Sequence, residues 1–432
     1  MLKSKNLLLI AFVACITGSL WAQTDSPYSR YGYGVLREQA VGPSKAMGGI
    51  GYGLRNSQSA NPLNPASYSR VDSLTFLFDI GVSATRGKLS DGTNSDTKNS
   101  GRLDYITMLF PIKKNIGVSL GVLPYSSVGY EFGGSVTNGS ISYTNSYSGT
   151  GGLSQVYLGL GYLTPIKGLS VGANVSYLFG VQEYNKGIAF HDNVSNNSSD
   201  NTEISLKTFK FDLGAQYEYQ LSKKYLLTVG AVFSPKINST ADYENKHYDL
   251  NSGGYMINGD TTSIKGIDAG IPSTFGLGFT LNKENKLIFG ADVTYQKWKD
   301  VKYSDKMNDG LSQSNRFDDR WKYNVGAEYM IDPYDRSFFK KMKFRGGLNY
   351  SNSYQKVKDI NGKIDGYKEY GATVGFGFPF KDNFGGRTSY INLNFEYKKF
   401  NPNTKTMIKE EYFGVSVSVN INEFWFFRNK IQ

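Results

Sequence analysis

The chain has little of what metal, redox and helical membrane proteins need. Its 432 residues include one Cys and two His, which excludes a disulfide framework, a thiolate metal site and multi-histidine zinc or iron chemistry. The mean hydropathy is −0.39, and no apolar run reaches the roughly 18 residues that a membrane-spanning helix needs. We therefore expect no metal and no cofactor, and no bundle of membrane helices.

Glycine and aromatic residues dominate what is present. There are 49 Gly, 32 Tyr and 27 Phe, and aromatic residues make up 15% of the chain, too much for a disordered protein. Tyr and Phe favour strands, whereas Gly favours turns. The composition therefore indicates an all-β chain with many turns.

Residues 1–22 have the features of a secretory signal peptide. Two Lys precede an apolar core at Leu7–Ile16, and small residues end the segment at Ala22. We expect cleavage after Ala22, which leaves a mature chain without Cys and lowers the net charge from +11 to +9, because the segment holds two Lys and no acid. One alternative, a membrane anchor, has too short an apolar core. The other, lipoprotein cleavage at Cys15, is disfavoured because apolar sequence continues beyond it.

A two-residue hydrophobic period runs through the rest of the chain. It is clearest near the C-terminus, where Phe413, Val415, Val417, Val419 and Ile421 alternate with Gly, Ser and Asn. Such runs reach about 10–12 residues, the length at which a tilted strand crosses a bilayer. A soluble β-sandwich also alternates, but its strands are shorter and its apolar face points inward. The pattern favours strands whose apolar face contacts lipid.

The period predicts fourteen strands, at 74–86, 102–112, 116–127, 153–164, 169–183, 203–220, 225–237, 272–281, 287–298, 320–331, 342–354, 366–380, 388–399 and 410–424. Short turns alternate with long polar stretches at 87–101, 128–152, 184–202, 238–271, 299–319 and 355–365. That alternation is typical of outer-membrane barrels. We predict a 14-stranded antiparallel transmembrane β-barrel in the cell outer membrane, with both termini periplasmic.

Residues 23–73 do not follow the strand pattern and are rich in Gly, Ser, Asn and Pro. A 14-stranded barrel has a lumen too wide for its own side chains to fill. We therefore divide the chain into a signal peptide (1–22), an N-terminal hatch (23–73) and the barrel (74–432). A periplasmic tail is the alternative for the second part. Charges of both signs on the inner face, including Glu328, Arg345, Glu396 and Lys398, predict salt bridges within the lumen.

Several short motifs resemble those of the FadL-type outer-membrane transporters of long-chain fatty acids and other hydrophobic compounds. They are the hatch motif Asn64, Pro65 and Ala66, the strand segments 271–278, 292–298 and 321–329, and the segment 344–347. The ending 425–432 departs from the family's terminal aromatic and resembles the version in Bacteroidetes-type members. The resemblance implies a plugged 14-stranded barrel, an apolar path for a hydrophobic ligand, and lateral release through a kink in the third strand.

The third predicted strand contains Pro124, which cannot donate a ladder hydrogen bond. We expect the segment from Pro124 to Gly129 to line an opening in the wall; a strand that ends early is the alternative. The second strand is apolar on both faces, so we expect it to add an apolar surface to the interior of the barrel. The alternative is that this surface packs against the hatch. The candidate ligand path consists of Ile106, Met108, Phe110, Leu123, Pro124, Tyr125, Ser126, Ser127 and Gly129.

Other functions fit less well. A hydrolase at the barrel rim would use His191 or His247 with nearby Asp residues, but no Ser–His–Asp order or Gly-x-Ser-x-Gly elbow supports it. A non-transporting scaffold, such as a type IX secretion shuttle that binds protein partners, uses the same fold. A passive porin would be obstructed by the N-terminal segment. The scattered positive charge favours contact with lipid and lipopolysaccharide rather than nucleic acid, and we expect a monomer.

Overall fold

The computed structural model describes residues 26–139, 141–192, 194–304, 313–381 and 387–425. Strands make up most of these residues, and the helices among them are too short to cross a membrane. The predicted signal peptide, residues 1–22, lies outside the described residues.

Fourteen antiparallel strands close into one barrel, as predicted. They are β1 Thr75–Ser90, β2 Ser95–Lys113, β3 Ile116–Asn138, β4 Ile141–Leu163, β5 Leu169–Phe190, β6 Asn197–Gln220, β7 Tyr225–Ser234 with Thr240–Leu250, β8 Met256–Asp268 with Thr274–Lys283, β9 Leu287–Gln296, β10 Arg320–Met330, β11 Lys343–Asn352, β12 Tyr367–Lys381, β13 Thr388–Pro402 and β14 Lys409–Phe424. β14 pairs with β1 from Lys409–Ser90 to Phe424–Thr75, which closes the cylinder.

The remaining elements are short. Helical turns span Pro27–Arg30, Pro43–Ala46, Pro65–Arg70, Gln313–Arg316 and Phe339–Lys341, and two-residue strands span Val35–Leu36, Val357–Lys358 and Ile364–Asp365.

The side chains of the barrel have apolar groups outside and polar groups inside. On β14, Val417 is 37% exposed, whereas its neighbour Ser418 is 4% exposed. Phe413 and Val415 are likewise exposed, and Asn420 is buried. A soluble protein buries its apolar face, so the reversed arrangement is that of a transmembrane barrel with lipid around it.

Four of the predicted loops consist mostly of strands. β3 to β6 contain 23, 23, 22 and 24 residues, so each is roughly 75 Å long, far beyond the ~25 Å apolar band of a barrel. The stretches 87–101, 128–152 and 184–202 therefore form long hairpins above the band, and most of 238–271 does as well. Expecting loops there was wrong because Ser and Thr pair across strands, as Ser135 does with Thr144 at 3.2 Å.

The lumen contains residues 26–73, which we call the N-terminal segment. Its Tyr68 packs with Leu77, Tyr105 and Leu109 of the barrel wall. Tyr33 lies in a second cluster with Trp298 and other residues beneath the long hairpins. The described part of the segment is thus folded inside the barrel and is not a tail.

The predicted lumenal salt bridges are present. Arg345 Nε lies 2.7 Å from Glu328 Oε2, and Lys398 Nζ lies 3.5 Å from Glu396 Oε1. Lys343 adds a second cation to Glu328 at 3.4 Å. Glu328 of β10 is thus linked to Lys343 and Arg345 of the adjacent strand β11, whereas Lys398 and Glu396 both lie on β13.

Candidate functional site

The wall of the barrel is open between the outer parts of β2 and β3. Their ladder begins at the short turn and ends at the pair Ile106–Val122. Beyond that pair β2 stays with β1 as far as Ser95–Ser90, and β3 stays with β4 as far as Asn138–Ile141. No ladder joins outer β2 to outer β3 within the residues that the structure describes. The two strands therefore diverge and leave a gap.

Irregularities on both sides of the gap coincide with this divergence. The ladder of β3 with β4 shifts register between Pro124 and Ser126. The ladder of β1 with β2 shifts between Gly81 and Val82, opposite Asp104. Pro124 has no N–H, and bulges bend a strand and increase its twist. The expected interruption at Pro124 is thus present.

The N-terminal segment occupies the lower part of the gap. Val35 and Leu36 pair antiparallel with Ser127 and Ser126, on the edge of β3 that β2 has left. Arg37 N donates to Tyr125 O at 2.9 Å, and Gln39 Nε2 donates to Pro124 O at 2.7 Å. The segment therefore substitutes for β2 over this stretch.

The contact continues to Gly129. Gly129 N donates to Ser29 Oγ at 3.0 Å, and Gly129 O accepts from Ser26 N at 2.8 Å. Both backbone groups of Gly129 therefore point toward the gap. Gly129, from the predicted path, is a contact of the N-terminal segment.

The predicted hatch motif anchors the other end of the segment. Asn64 Oδ1 accepts from Ala66 N at 3.1 Å and caps the turn Pro65–Arg70, while Asn64 Nδ2 donates to Tyr52 O at 2.8 Å. A Cβ at Gly172 of β5 would lie 2.4 Å from the carbonyl carbon of Pro65. Inward glycine thus provides the space in which the motif lies against the wall.

The residues predicted for the ligand path separate into two groups. Leu123, Tyr125, Ser126 and Ser127 are buried beside the gap, as is Gly129, while Pro124 is partly buried there. The other group, on β2, is Ile106, Met108 and Phe110. These residues are partly exposed and alternate with inward-facing Tyr105, Thr107 and Leu109.

Ile106, Met108 and Phe110 therefore lie on the outer face, and expecting them to line the interior was wrong. The cause is that both faces of β2 are apolar, so the period alone does not distinguish them. Tyr105 decides the direction, because its hydroxyl accepts from Gly42 N of the N-terminal segment at 2.8 Å. Contact of the nine residues with a ligand stays a prediction.

A cavity with about 810 Å³ of empty space lies beside the gap, between the N-terminal segment and β1, β2, β13 and β14. Its lining combines a few apolar side chains, such as Val35, Leu36 and Phe400, with many charged ones. The charged residues are Arg37, Glu38, Lys45, Arg102, Asp104, Glu396 and Lys398. A larger cavity of about 1040 Å³ contacts Leu123 and Tyr125, and its lining is also rich in polar groups.

Comparisons with known proteins give the family and the fold of the chain. The family model BamG matches residues 1–432. The chain belongs to the BamG family. This BamG-family chain resembles the toluene transporter TodX of Pseudomonas putida at a TM-score of 0.61 and 16% identity, over 90% of this chain and 100% of TodX. It resembles a FadL homologue of Pseudomonas aeruginosa at a TM-score of 0.57 and 13% identity, over 91% and 99% of the two chains.

A curated relative matches only in part. It is a probable TonB-dependent receptor of Haemophilus influenzae, 23% identical over 184 residues, which is 42% of this chain and 18% of the receptor. The chain thus spans less than a fifth of the length of that relative. The structural neighbours establish a FadL-like barrel fold for this BamG-family chain.

The histidines considered for a hydrolase lie on the long hairpins. His247 Nδ1 lies 2.8 Å from Asp200 Oδ1, and this hydrogen bond raises the pKa of His247. His191 Nε2 lies 2.8 Å from Thr144 Oγ1. Within the described part of the chain the side-chain partners of the two imidazoles are thus a Thr hydroxyl and Asp carboxylates, and neither imidazole has a Ser or Cys hydrogen-bond partner.

Sequence reasoning missed the charged residues of the N-terminal segment. Lys45 Nζ lies 2.5 Å from Asp104 Oδ2, and Glu38 pairs with Lys322. Arg37, Glu38 and Lys45 are the charges in the otherwise neutral, Gly-rich stretch 34–53. These isolated charges could have indicated ion pairs with the barrel wall, because a charge within a buried segment needs a partner of opposite charge.

Proposed function

We propose that the protein takes up hydrophobic small molecules, of the long-chain fatty acid type, across the outer membrane and releases them sideways through the gap between β2 and β3. The observation that carries this proposal is the end of the ladder at Ile106–Val122, beside the bulge at Pro124. Similarity to a toluene transporter and to a FadL homologue supports it at the level of the fold. In this proposal both termini are periplasmic, and the barrel works as a monomer among lipid and lipopolysaccharide.

Residues 23–73 act in this proposal as a hatch. The described contacts of the hatch with the gap comprise the two-residue ladder at Val35–Leu36 and a few hydrogen bonds at Ser26, Ser29, Arg37 and Gln39. Each such bond contributes about 0.5–1.5 kcal/mol net. The ion pair of Lys45 with Asp104 and the burial of Val35 add to the free energy that withdrawing the hatch would cost. A ligand would then pass Leu123, Pro124 and Tyr125 and meet Ile106, Met108 and Phe110 on the outer face.

A disulfide lock tests the gate. Leu36 and Ser126 are directly opposed, and the mature chain has no Cys to interfere. The pair Leu36→Cys with Ser126→Cys would tie the hatch to β3 under oxidising conditions. Cells carrying it are expected to lose uptake of radiolabelled oleate and to regain it after reduction.

The matched control is Val82→Cys with Val417→Cys, which links β1 and β14 where the wall is already closed. This control should transport equally well whether oxidised or reduced. Full uptake by the oxidised Leu36–Ser126 lock would contradict release through the gap.

The charged cavity favours a second candidate, a barrel that binds protein partners without transport, as in a secretion-system shuttle. Charges such as Lys45, Asp104 and Glu396 line the space beside the gap, and an apolar ligand passing them would desolvate them. The test is uptake of oleate and toluene by the wild-type protein, in which no disulfide holds the hatch. Uptake no greater than that of an empty-membrane control would favour partner binding over transport.

A further inference from the structure

The outer end of β3 has a free edge. From Glu131 to Asn138 it pairs with β4 alone, in the register Glu131–Ser148 to Asn138–Ile141. β2 has already left at Val122, and the backbone hydrogen bonds of the described N-terminal segment reach no further than Gly129, although the Arg30 guanidinium lies over the rings of Phe132 and Tyr147. Among the described residues nothing pairs with the other side of these eight residues, and all eight are exposed.

The backbone groups that face this free side can be identified from Gly129. Its N–H and C=O both point toward the gap, and the register runs without a further shift from Ser126 to Asn138. Because the direction alternates along a strand, Glu131, Gly133, Ser135 and Thr137 also turn N–H and C=O to the free side. The edge therefore offers four donors and four acceptors in ladder spacing.

This edge lacks the usual protection against pairing. Proteins protect exposed edges with Lys, Pro, bulges or inward charges. The eight residues contain no Lys, Arg or Pro, and one acid, Glu131. The outer part of β2, across the gap, is protected by Asp96, Lys98 and Arg102 and by the bulge at Asp104. The difference indicates that β3, and not β2, is built to accept a strand.

We propose that Glu131–Asn138 binds an extended segment of a second polypeptide, which adds to the sheet as an antiparallel strand. The same edge already accepts a strand lower down, where Val35 and Leu36 pair with Ser127 and Ser126. Phe132 and Val136, beside Tyr147 and Tyr143, make one face apolar.

The other face carries hydroxyl groups. Ser135 and Thr137 hydrogen bond across the hairpin to Thr144 and Ser142, at 3.2 and 3.0 Å. The partner segment is therefore one that alternates apolar side chains with small hydroxyl-bearing ones.

Two other occupants fit less well. With the expected cleavage after Ala22, three residues precede Ser26, and they span about 10 Å against about 26 Å for the eight-residue edge. A second copy in the same membrane has its β3 running in the same direction, so the two edges do not form an antiparallel pair. A different polypeptide meets neither restriction.

Photo-crosslinking in the native membrane tests the proposal with the full-length protein. A photoreactive phenylalanine replaces Glu131 in one variant and Thr137 in another, and the cross-linked peptides are sequenced by mass spectrometry. The expected result is one partner segment in which the Thr137 probe captures a residue N-terminal to the one captured by the Glu131 probe. That reversed order is specific to an antiparallel strand.

A backbone substitution supplies the matched control. Ser135→Pro removes an N–H that faces the free side and leaves the ladder to β4 intact, whereas Ser135→Ala keeps the N–H and removes only the hydroxyl. Cross-linking at Glu131 should fall about tenfold in Ser135→Pro and stay near wild type in Ser135→Ala. The heat-dependent shift of the folded barrel on gels verifies that both variants fold.

Several outcomes would overturn the proposal. They are cross-links confined to the protein's own N-terminal residues, to a second copy or to lipopolysaccharide, the absence of any ordered segment, and equal loss of cross-linking in Ser135→Ala and Ser135→Pro. Oleate uptake is measured in parallel, so failure of the edge proposal is distinguishable from failure of the transport proposal.

Discussion

Ile106 and Val122 form the last pair of the ladder between β2 and β3, and Val35 takes up pairing with the same edge five residues further along, at Ser127. Along this one edge, β3 pairs first with β2 and then with the N-terminal segment, and beyond that it has no partner in the part of the chain that the structure describes. The gap, its occupant and the exposed edge all follow from where β2 diverges.

Adjacent glycines on β11 test how closely the N-terminal segment fits. A Cβ at Gly347 would lie 2.1 Å from Gly48 N, whereas a Cβ at Gly346 would come no nearer than 3.9 Å to Thr373 O. Gly347→Ala should destabilise the folded barrel by about 1–3 kcal/mol through overpacking, and Gly346→Ala should have little effect. Urea unfolding and single-channel conductance measure this. Similar behaviour of the two variants would contradict the close contact.

The buried triad of Glu328, Lys343 and Arg345 should depend on its acid. Glu328→Gln leaves two buried cations without a counter-charge and is expected to lower the free energy of unfolding by about 3–5 kcal/mol. Lys299→Gln breaks an exposed pair with Asp318 and should cost at most about 1 kcal/mol. Urea titration of both variants checks the difference, and equal losses would count against a buried network.

The outer face of β14 should be sensitive to charge. Val417→Arg places a cation on the lipid-facing side. Near the bilayer centre this should make the barrel folded in liposomes less stable by about 2–4 kcal/mol. Val194→Arg changes a residue that is 90% exposed on a long hairpin and should be neutral. A tolerated Val417→Arg would argue against lipid around this strand.

The hairpin that carries His247 should weaken as pH rises. The pKa of His247 is raised mainly by its hydrogen bond to Asp200 and also by Asp249. Because the pKa of His247 is higher in the folded than in the unfolded chain, the protonated imidazole stabilises the fold. This stabilisation is complete below the unfolded pKa of about 6.5 and is lost as the pH rises through the higher folded-state pKa. Hydrogen-exchange protection of residues 240–250, corrected for intrinsic rates, should fall over that range. His247→Gln should remove the dependence, and a pH-independent wild type would contradict it.

Local pattern predicted the strands well. Each of the fourteen expected strands overlaps an observed one. The reason is that a strand with lipid on one side needs an apolar side chain at every second residue, and this alternation is visible in the sequence. The polar stretch 128–152 was expected to be a loop, yet Phe132 and Tyr147 pair there in a hairpin. Gly, Ser and Asn disfavour strands only weakly when a partner strand supplies the hydrogen bonds.

The candidate site was predicted less completely. Pro124 marked the interruption correctly, because a missing N–H can be read from the sequence. The outward direction of Ile106, the pairing of Val35 with Ser127 and the ion pair of Lys45 with Asp104 could not be read in this way. Each joins residues at least 59 positions apart or depends on which of two apolar faces meets the lumen.

The sequence by itself determined the class of protein: a closed barrel of fourteen strands with apolar residues toward lipid, and a non-periodic segment ahead of it. Only the tertiary structure decided where that segment lies, where β2 leaves β3, and that the outer end of β3 has one edge without a partner among the described residues. The physical reason is that the alternation of apolar and polar side chains is a local property of each strand. The divergence of two strands and the filling of the gap depend instead on contacts between distant parts of the chain.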